Sequence, residues 1–303
     1  MLRAELKENC PALDLREAEP LAKYTSFRIG GPAALLALPV SEAELRTVLL
    51  CARRCEVHPV ILGGGTNVLV PDAGLQTLVI RTKENMTDLC LPENGRIRAA
   101  CGVTLARLAA FALEQGLTGL EFAQGIPGTV GGGVMMNAGA YGGELAQTAV
   151  QTTVLRMDGR TEIHTGAQQG FGYRHSAFAG LDGVIVSTEF ALQAGDPAEI
   201  QHTMEDLAAR RKSSQPLEYP SAGSTFRRPA GGYAARMIDE AGLKGLRCGG
   251  AEVSEKHAGF IINRGGATCR DVLTLIGEIQ DRVEARTGIR LEPEVRLLTQ
   301  EEV

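Results

Sequence analysis

The chain has 303 residues, an apolar fraction of 44% and a formal net charge of −5 at pH 7. That length suits two domains, or one large domain with a smaller one, and allows a sizeable core. The acidic balance argues against a nucleic-acid partner, and no apolar run approaches the roughly 18 residues of a membrane span.

The N-terminal stretch MLRAELKENC lacks the apolar region of a secretory signal. Cysteines at 10, 51, 55, 90, 101, 248 and 269 form no CxxC pair, which fits reduced thiols and a cytoplasmic protein. The pattern Ser41 to Glu56 predicts a helix: Ser41 and Glu44 suit a capping box, and Leu45, Val48, Leu49 and Ala52 recur at helical spacing. A buried strand, Val57 to Leu62, runs into Gly63-Gly64-Gly65-Thr66-Asn67, and a second strand, Val68 to Val70, follows. Thr104 to Gln115 predicts a helix closed by Gly116. From Val150 to Gln193 the pattern is rich in strands, without regular alternation with helices, so an α+β architecture is expected.

After Gly195-Asp196-Pro197 the texture changes. Ala198 to Lys212 reads as a helix with Ile200, Met204, Leu207 and Arg211 on one stripe. A short helix from Tyr233 to Ala241, a strand AGFIINR and a last helix, Cys269 to Arg286 with Thr268 as N-cap and Gly288 as stop, complete the chain. A domain boundary is expected near 195: a first region 1–195, in subdomains of 1–80 and 81–195, and a second domain 196–303.

Glycine is abundant, at 37 residues, and it clusters. The Gly63 to Asn67 loop between strands can turn successive backbone N–H groups toward a phosphate. It is neither a GxGxxG fingerprint opening a helix nor a P-loop. A second cluster is Gly125-Ile126-Pro127-Gly128-Thr129-Val130-Gly131-Gly132-Gly133, ending in Asn137-Ala138-Gly139-Ala140-Tyr141-Gly142. So many glycines cost conformational entropy, and the expectation is that they line a cofactor and give no core packing in return. Tyr24 to Pro32 has the same flavour.

These segments resemble the FAD-binding region of the vanillyl-alcohol-oxidase (PCMH-type) flavoprotein fold, and their wording resembles the UDP-N-acetylenolpyruvoylglucosamine reductase (UDP-N-acetylmuramate dehydrogenase) family. The resemblance extends from about Thr25 to Val295. It implies an FAD-binding region with a smaller α+β substrate domain, to whose active site a C-terminal strand contributes. By that resemblance Gly63, Gly64, Gly65, Thr66 and Asn67 hold the FAD pyrophosphate, and Gly125, Ile126, Pro127, Gly128, Thr129, Gly132, Asn137, Ala138 and Gly139 lie along the cofactor. No histidine follows His58 in the loop, so non-covalent FAD is expected.

Phe171-Gly172-Tyr173-Arg174-His175-Ser176, Ala222-Gly223-Ser224-Thr225-Phe226 and Leu291-Glu292-Pro293-Glu294-Val295 resemble three further family motifs. Their catalytic residues fall on Arg174, Ser224 and Glu294. Hydride addition to C3 of an enolpyruvyl group leaves negative charge at its carboxylate end. Arg174 suits that charge with a fork of donors, and Ser224 suits protonation of C2. Glu294 suits either the enol or the proton relay, and strand parity does not separate it from Glu292.

The resemblance further places Lys212, Arg228, His257, Asn263 and Tyr173 at the sugar substrate. Arg210 and Arg211 end a helix, where cations complement its dipole. Only Ala177 to Gly183 follows Ser176 before the next strand, so the chain resembles the class lacking an inserted Tyr loop. The implied substrates are UDP-N-acetylglucosamine enolpyruvate and NADPH, the latter without a Rossmann domain of its own. A monomer is expected. No metal is expected either, because Cys51, Cys55 and His58 lack a fourth ligand. The competing readings are an oxidase of the same fold and a catalytically silent FAD- or UDP-sugar-binding module.

Overall fold

A computed structural model describes residues 1–298. The chain forms two compact units: Met1–Glu17 with Leu35–Gly64 and Thr77–Arg211, and Ala18–Ala34 with Gly65–Gln76 and Lys212–Val303. Residues 196–211 therefore group with the first unit, and two N-terminal stretches group with the second.

In the first unit a five-stranded antiparallel sheet runs in the order Thr161–Thr165, Ala149–Arg156, Gly183–Ala191, Arg96–Ala100, Leu89–Glu93. Another sheet has the order Asp14–Pro20, Pro32–Leu38, Leu75–Arg81, Val60–Leu62, with its last two strands parallel from Val60 opposite Val79. The helix Glu42–Arg54 buries Leu45, Val48, Leu49 and Ala52, the stripe its sequence carries. Ser41 caps it by accepting from Glu44 N–H at 3.2 Å. The capping box expected with it is altered: the Glu44 carboxylate accepts from Val40 N–H at 2.6 Å, one residue before the cap. Leu105–Glu114 is capped by Thr104, and Gly116 follows it with φ +63°. The short helix Val130–Met135 packs on strand Gly183–Ala191. Pro197–Ser214 buries Ile200 and Met204 in the same core.

In the second unit Ser221–Ser224, Phe260–Asn263, Ala251–Val253 and Arg247–Cys248 form an antiparallel sheet in that order. The helix Cys269–Thr287 lies on it, burying Val272, Leu275, Ile276, Ile279 and Val283 at helical spacing. Its start is a full capping box of Thr268 and Asp271, and Gly288 stops it in the left-handed conformation. The C-terminal strand Arg296–Leu297 pairs in parallel with Val68–Leu69. The mixed α+β architecture thus follows the sequence expectation: most sheet pairings are antiparallel, and helices do not alternate with strands.

Candidate active site

In the first unit, strand Val60–Leu62 ends at Gly63 and Gly64. A Cβ added at Gly63 would stand 2.5 Å from the hydroxyl of Thr129, and one at Gly132 would have that hydroxyl as its neighbour at 3.8 Å. Thr129 is 1% exposed, and its hydroxyl has no hydrogen-bond partner. A buried hydroxyl without a partner is costly. One that faces two glycines suits an acceptor-rich ligand such as a phosphate, so these residues fit the FAD that the sequence implies.

Gly65, Thr66 and Asn67 belong to the second unit. Gly65 has φ +64°, and any side chain there would collide with the carbonyl oxygen of Tyr24. Its carbonyl accepts from Ser26 N–H at 2.9 Å. Asn67 donates its amide to the Glu294 carbonyl at 3.2 Å and accepts from Arg296 N–H at 3.0 Å. Both ends of this short stretch are therefore fixed, one by the Tyr24 to Ser26 segment and the other by the C-terminal strand.

The long glycine segment departs from expectation in one respect. A Cβ at Gly131 would press on Cys101 Cβ at 3.0 Å, and one at Gly133 would meet Leu145 and Leu105 at 3.1 and 3.2 Å. These glycines do allow core packing, because they let the helix Val130–Met135 approach its neighbours closely. Ile126 and Ala138 also pack on the core, while Pro127 is exposed and Gly128 has φ +139°.

Arg174 sits in a tight turn in which Gly172 and His175 exchange backbone hydrogen bonds at 3.0 and 3.2 Å. Its φ of +52° is unusual for a bulky residue, and such conformations persist where surroundings impose them. Here the surroundings are the glycine segment. Buried Asn137 donates to the Gly172 carbonyl at 3.0 Å and accepts from Ala146 N–H at 2.9 Å. Ser176 donates to the Met135 carbonyl at 2.8 Å, and the Arg174 guanidinium donates to the Gly139 carbonyl at 3.2 Å. That guanidinium also lies 5.2 Å from the ring centroid of exposed Tyr173. Among the described residues no inserted loop follows: the turn Ala177–Gly180 leads into strand Gly183–Ala191.

Ser224 ends its strand, exposed, after Gly223 at φ +76°. The carbonyl of the next residue, Thr225, accepts from Glu294 N–H at 2.7 Å, and Phe226 bridges to Pro293. The Ser224 and Glu294 motifs thus lie side by side in the second unit. Thr225 is fixed from the other side as well, since its hydroxyl accepts from Ile261 N–H at 3.1 Å. Glu292 is the solvent-facing glutamate, with its side chain 77% exposed and 3.6 Å from Arg227. Glu294 is half-buried.

The residues expected at the sugar differ in their surroundings. Lys212 is exposed, and its carbonyl accepts from Lys256 Nζ at 2.7 Å. The Arg228 guanidinium lies 4.0 Å from the centroid of the Tyr233 ring. His257 accepts from Gly259 N–H through Nδ1 at 3.1 Å and meets Phe260 edge-on, and burial pushes its pKa down. Asn263 is 7% exposed and committed to backbone: it donates to Phe27 O at 2.9 Å and accepts from Gly265 and Ala267 N–H. These bonds give Asn263 a part in holding the strand end. Among the described residues no group of His, Cys, Asp or Glu could hold a metal ion.

A family model described as an FAD binding domain matches residues 33–164, and one described as the C-terminal domain of UDP-N-acetylenolpyruvoylglucosamine reductase matches 215–298. The chain is 45% identical over 289 residues to the UDP-N-acetylenolpyruvoylglucosamine reductase of Lactobacillus delbrueckii subsp. bulgaricus, covering 95% of this chain and 97% of that one. The chain belongs to the UDP-N-acetylenolpyruvoylglucosamine reductase family. The family's reductase from Agathobacter rectalis is 42% identical, with 96% of each chain covered. The crystal structure of the Thermus caldophilus reductase superposes with a TM-score of 0.81 at 34% identity, covering 95% of this chain and 99% of that one. A berberine bridge enzyme variant shares the FAD-binding fold alone, with a TM-score of 0.50 at 16% identity over 65% of this chain and 44% of that one. The two matched ranges include the Gly63 to Asn67 and Gly125 to Gly142 segments and the stretches around Ser224 and Glu294.

Proposed function

We propose that this chain reduces UDP-N-acetylglucosamine enolpyruvate to UDP-N-acetylmuramate in peptidoglycan precursor synthesis, with FAD bound non-covalently and NADPH as donor. The observation that carries this reading is the pairing that sets Glu294 beside the Ser224 strand, with Asn67 of the glycine loop bonded to the Glu294 carbonyl. FAD, when bound, supplies hydride transfer to the enolpyruvyl double bond. Gly63, Thr129 and Gly132 of the first unit would hold it. Family membership supports FAD and this substrate as well.

The protein's own residues then do the rest. Arg174, held by its strained turn, offers a guanidinium to the carboxylate where negative charge develops; fixed donors need little reorganisation as that charge grows. Ser224 delivers a proton to C2 of the sugar's side chain. Glu294 serves the enol or the proton relay. Lys212 and Arg228 supply positive charge to the diphosphate, and Tyr173 and His257 border the sugar. In this reading residues 196–303 serve mainly the substrate.

The proposal includes a monomer working in the cytoplasm. All the cysteines are free thiols, as a reducing compartment would keep them. No helix among the described residues is long and apolar enough to cross a membrane. The test is spectroscopic. Purified protein should be yellow, bleach with NADPH and regain colour on adding the enolpyruvyl sugar, and acid should release the flavin into solution. Rapid oxygen consumption without recovery of colour by the sugar would favour an oxidase instead.

A further inference from the structure

The helix Pro197–Ser214 stops just after Lys212, where the chain reads Lys212-Ser213-Ser214-Gln215-Pro216. In an α-helix each carbonyl accepts from the N–H four residues further on. For Lys212 that residue is Pro216, which has no N–H to give. The carbonyl is met from elsewhere in the second unit instead: Lys256 Nζ donates to it at 2.7 Å. An ammonium at this end of a helix also complements its dipole. The same Nζ lies 4.0 Å from the carboxylate of Glu218, in the stretch just beyond the helix.

Lys256 projects from a turn that is itself fixed. The hydroxyl of Ser254, 1% exposed, accepts from the N–H groups of both Lys256 and His257, at 3.2 and 3.3 Å. Ser254 N–H donates to the Phe260 carbonyl at 2.9 Å, and Phe260 N–H donates to the His257 carbonyl at 3.0 Å. One rigid turn therefore carries His257 and, through Lys256, grips the peptide of Lys212. A lysine side chain has many rotamers, and the fold can fix only the peptide from which it grows. Holding the 212 carbonyl fixes that peptide, and with it the direction in which the Lys212 side chain leaves the helix end.

We propose that Lys256 is a positioning residue for the substrate: it holds the helix end so that Lys212 meets the diphosphate, without touching the sugar nucleotide itself. This inference rests on the reading that Lys212 binds the sugar. The experiment is a double-mutant cycle in steady-state kinetics of the flavin-loaded enzyme with UDP-N-acetylglucosamine enolpyruvate. Lys256→Met, which keeps the chain length and loses the donor, should raise the sugar KM about 3- to 10-fold. Its kcat and its flavin reduction by NADPH should stay near wild type. Lys256→Arg, which restores a long charged donor, should recover most of the KM. In Lys212→Ala, adding Lys256→Met should raise KM little further, because the side chain being positioned is already gone.

An unchanged KM in Lys256→Met would overturn the proposal. So would a full additional rise in the Lys212→Ala background, which would make Lys256 a direct contact of the sugar. Equal losses in KM, kcat and flavin reduction would overturn it too, and would leave Lys256 as a helix cap alone. If Lys256→Met does not fold, a wild-type KM in Lys256→Gln, shorter and uncharged, overturns it equally well. An unchanged KM in Lys212→Ala would instead remove the reading on which the inference rests, and the inference with it.

Discussion

Gly63 and Thr129 face each other with no room for a side chain between them: a Cβ at 63 would reach within 2.5 Å of the Thr129 hydroxyl. That hydroxyl is buried and has no protein partner. Gly63→Val should therefore yield folded protein with little FAD, read as the ratio of flavin to protein absorbance. Thr129→Val, which removes the hydroxyl but keeps the shape, should weaken FAD by about the 0.5–1.5 kcal/mol of one neutral hydrogen bond. Normal flavin content in both variants would reduce the Gly63 loop to a simple turn.

Asn137 combines two demands that few residues meet. It holds φ +43°, and its buried amide bonds both Gly172 O and Ala146 N–H. Asn137→Ala would strain the backbone and leave two groups without partners, for a loss of about 2–4 kcal/mol in denaturant unfolding. Because Gly172 opens the Arg174 turn, the sugar KM should rise in the same variant. A loss below 1 kcal/mol with unchanged KM would show that the turn stands without Asn137.

The sequence made some elements plain and hid others, for physical reasons. The helices Glu42–Arg54 and Cys269–Thr287 were legible because their apolar stripes and Ser41 and Thr268 caps agree. Strand Asp14–Pro20 was not, because its pattern is largely exposed and shows no apolar alternation. The motifs of Ser224 and Glu294 could be named, but their adjacency arises from a pairing across many residues that no local spacing reveals. Glu292 and Glu294 share a face by parity, and only burial and the Arg227 pair separate them. Gly131 and Gly133 illustrate the opposite error, since closeness to Cys101, Leu105 and Leu145 cannot be read from a run of glycines.

Burial, then a bond to its own backbone and the charge of Lys244, decides the behaviour of His257, with a net pKa below the usual 6.5. The folded state therefore binds a proton less readily than the unfolded state. The stability from keeping His257 neutral is fully present above about pH 6.5 and is lost as pH falls toward its lowered folded value. Unfolding followed between pH 7.5 and 5 should show a shallower decline in His257→Asn than in wild type. Parallel profiles would mean that His257 titrates alike in both states.

Lys212 and Arg228 are assigned to the diphosphate, and both are exposed in the structure. Lys212→Ala and Arg228→Ala should each weaken the sugar by about 1.5–3 kcal/mol, the worth of a hydrogen bond to a charged group. This corresponds to a rise in KM of roughly 10- to 150-fold. Flavin reduction by NADPH should change much less. The Tyr233 ring beneath Arg228 offers an internal control. Tyr233→Leu should raise the sugar KM only through the positioning of Arg228, and it should have no further effect in Arg228→Ala. Unchanged KM in both charge variants would remove them from the site.

The sharpest expectation concerns Ser224. Its strand end is fixed by the Thr225 bonds to Glu294 and Ile261, so replacing the exposed hydroxyl should leave the backbone in place. Ser224→Ala should therefore bind FAD and be bleached by NADPH at near-normal rate, because that half-reaction needs no proton at C2 of the sugar. Recovery with the enolpyruvyl sugar should slow by the roughly 10²- to 10⁴-fold typical of losing a positioned general acid. Stopped-flow absorbance separates the two steps. Colour alone is insufficient, since hydride transfer can run partly forward without protonation, so UDP-N-acetylmuramate must be followed as well. Ser224→Cys, which restores an acidic proton at the same place, should recover part of the second step and leave the first unchanged. Equal losses in both half-reactions would make Ser224 structural. Full product formation in Ser224→Ala would assign the proton to another group, and Glu294, whose backbone lies beside it, would be the first to replace.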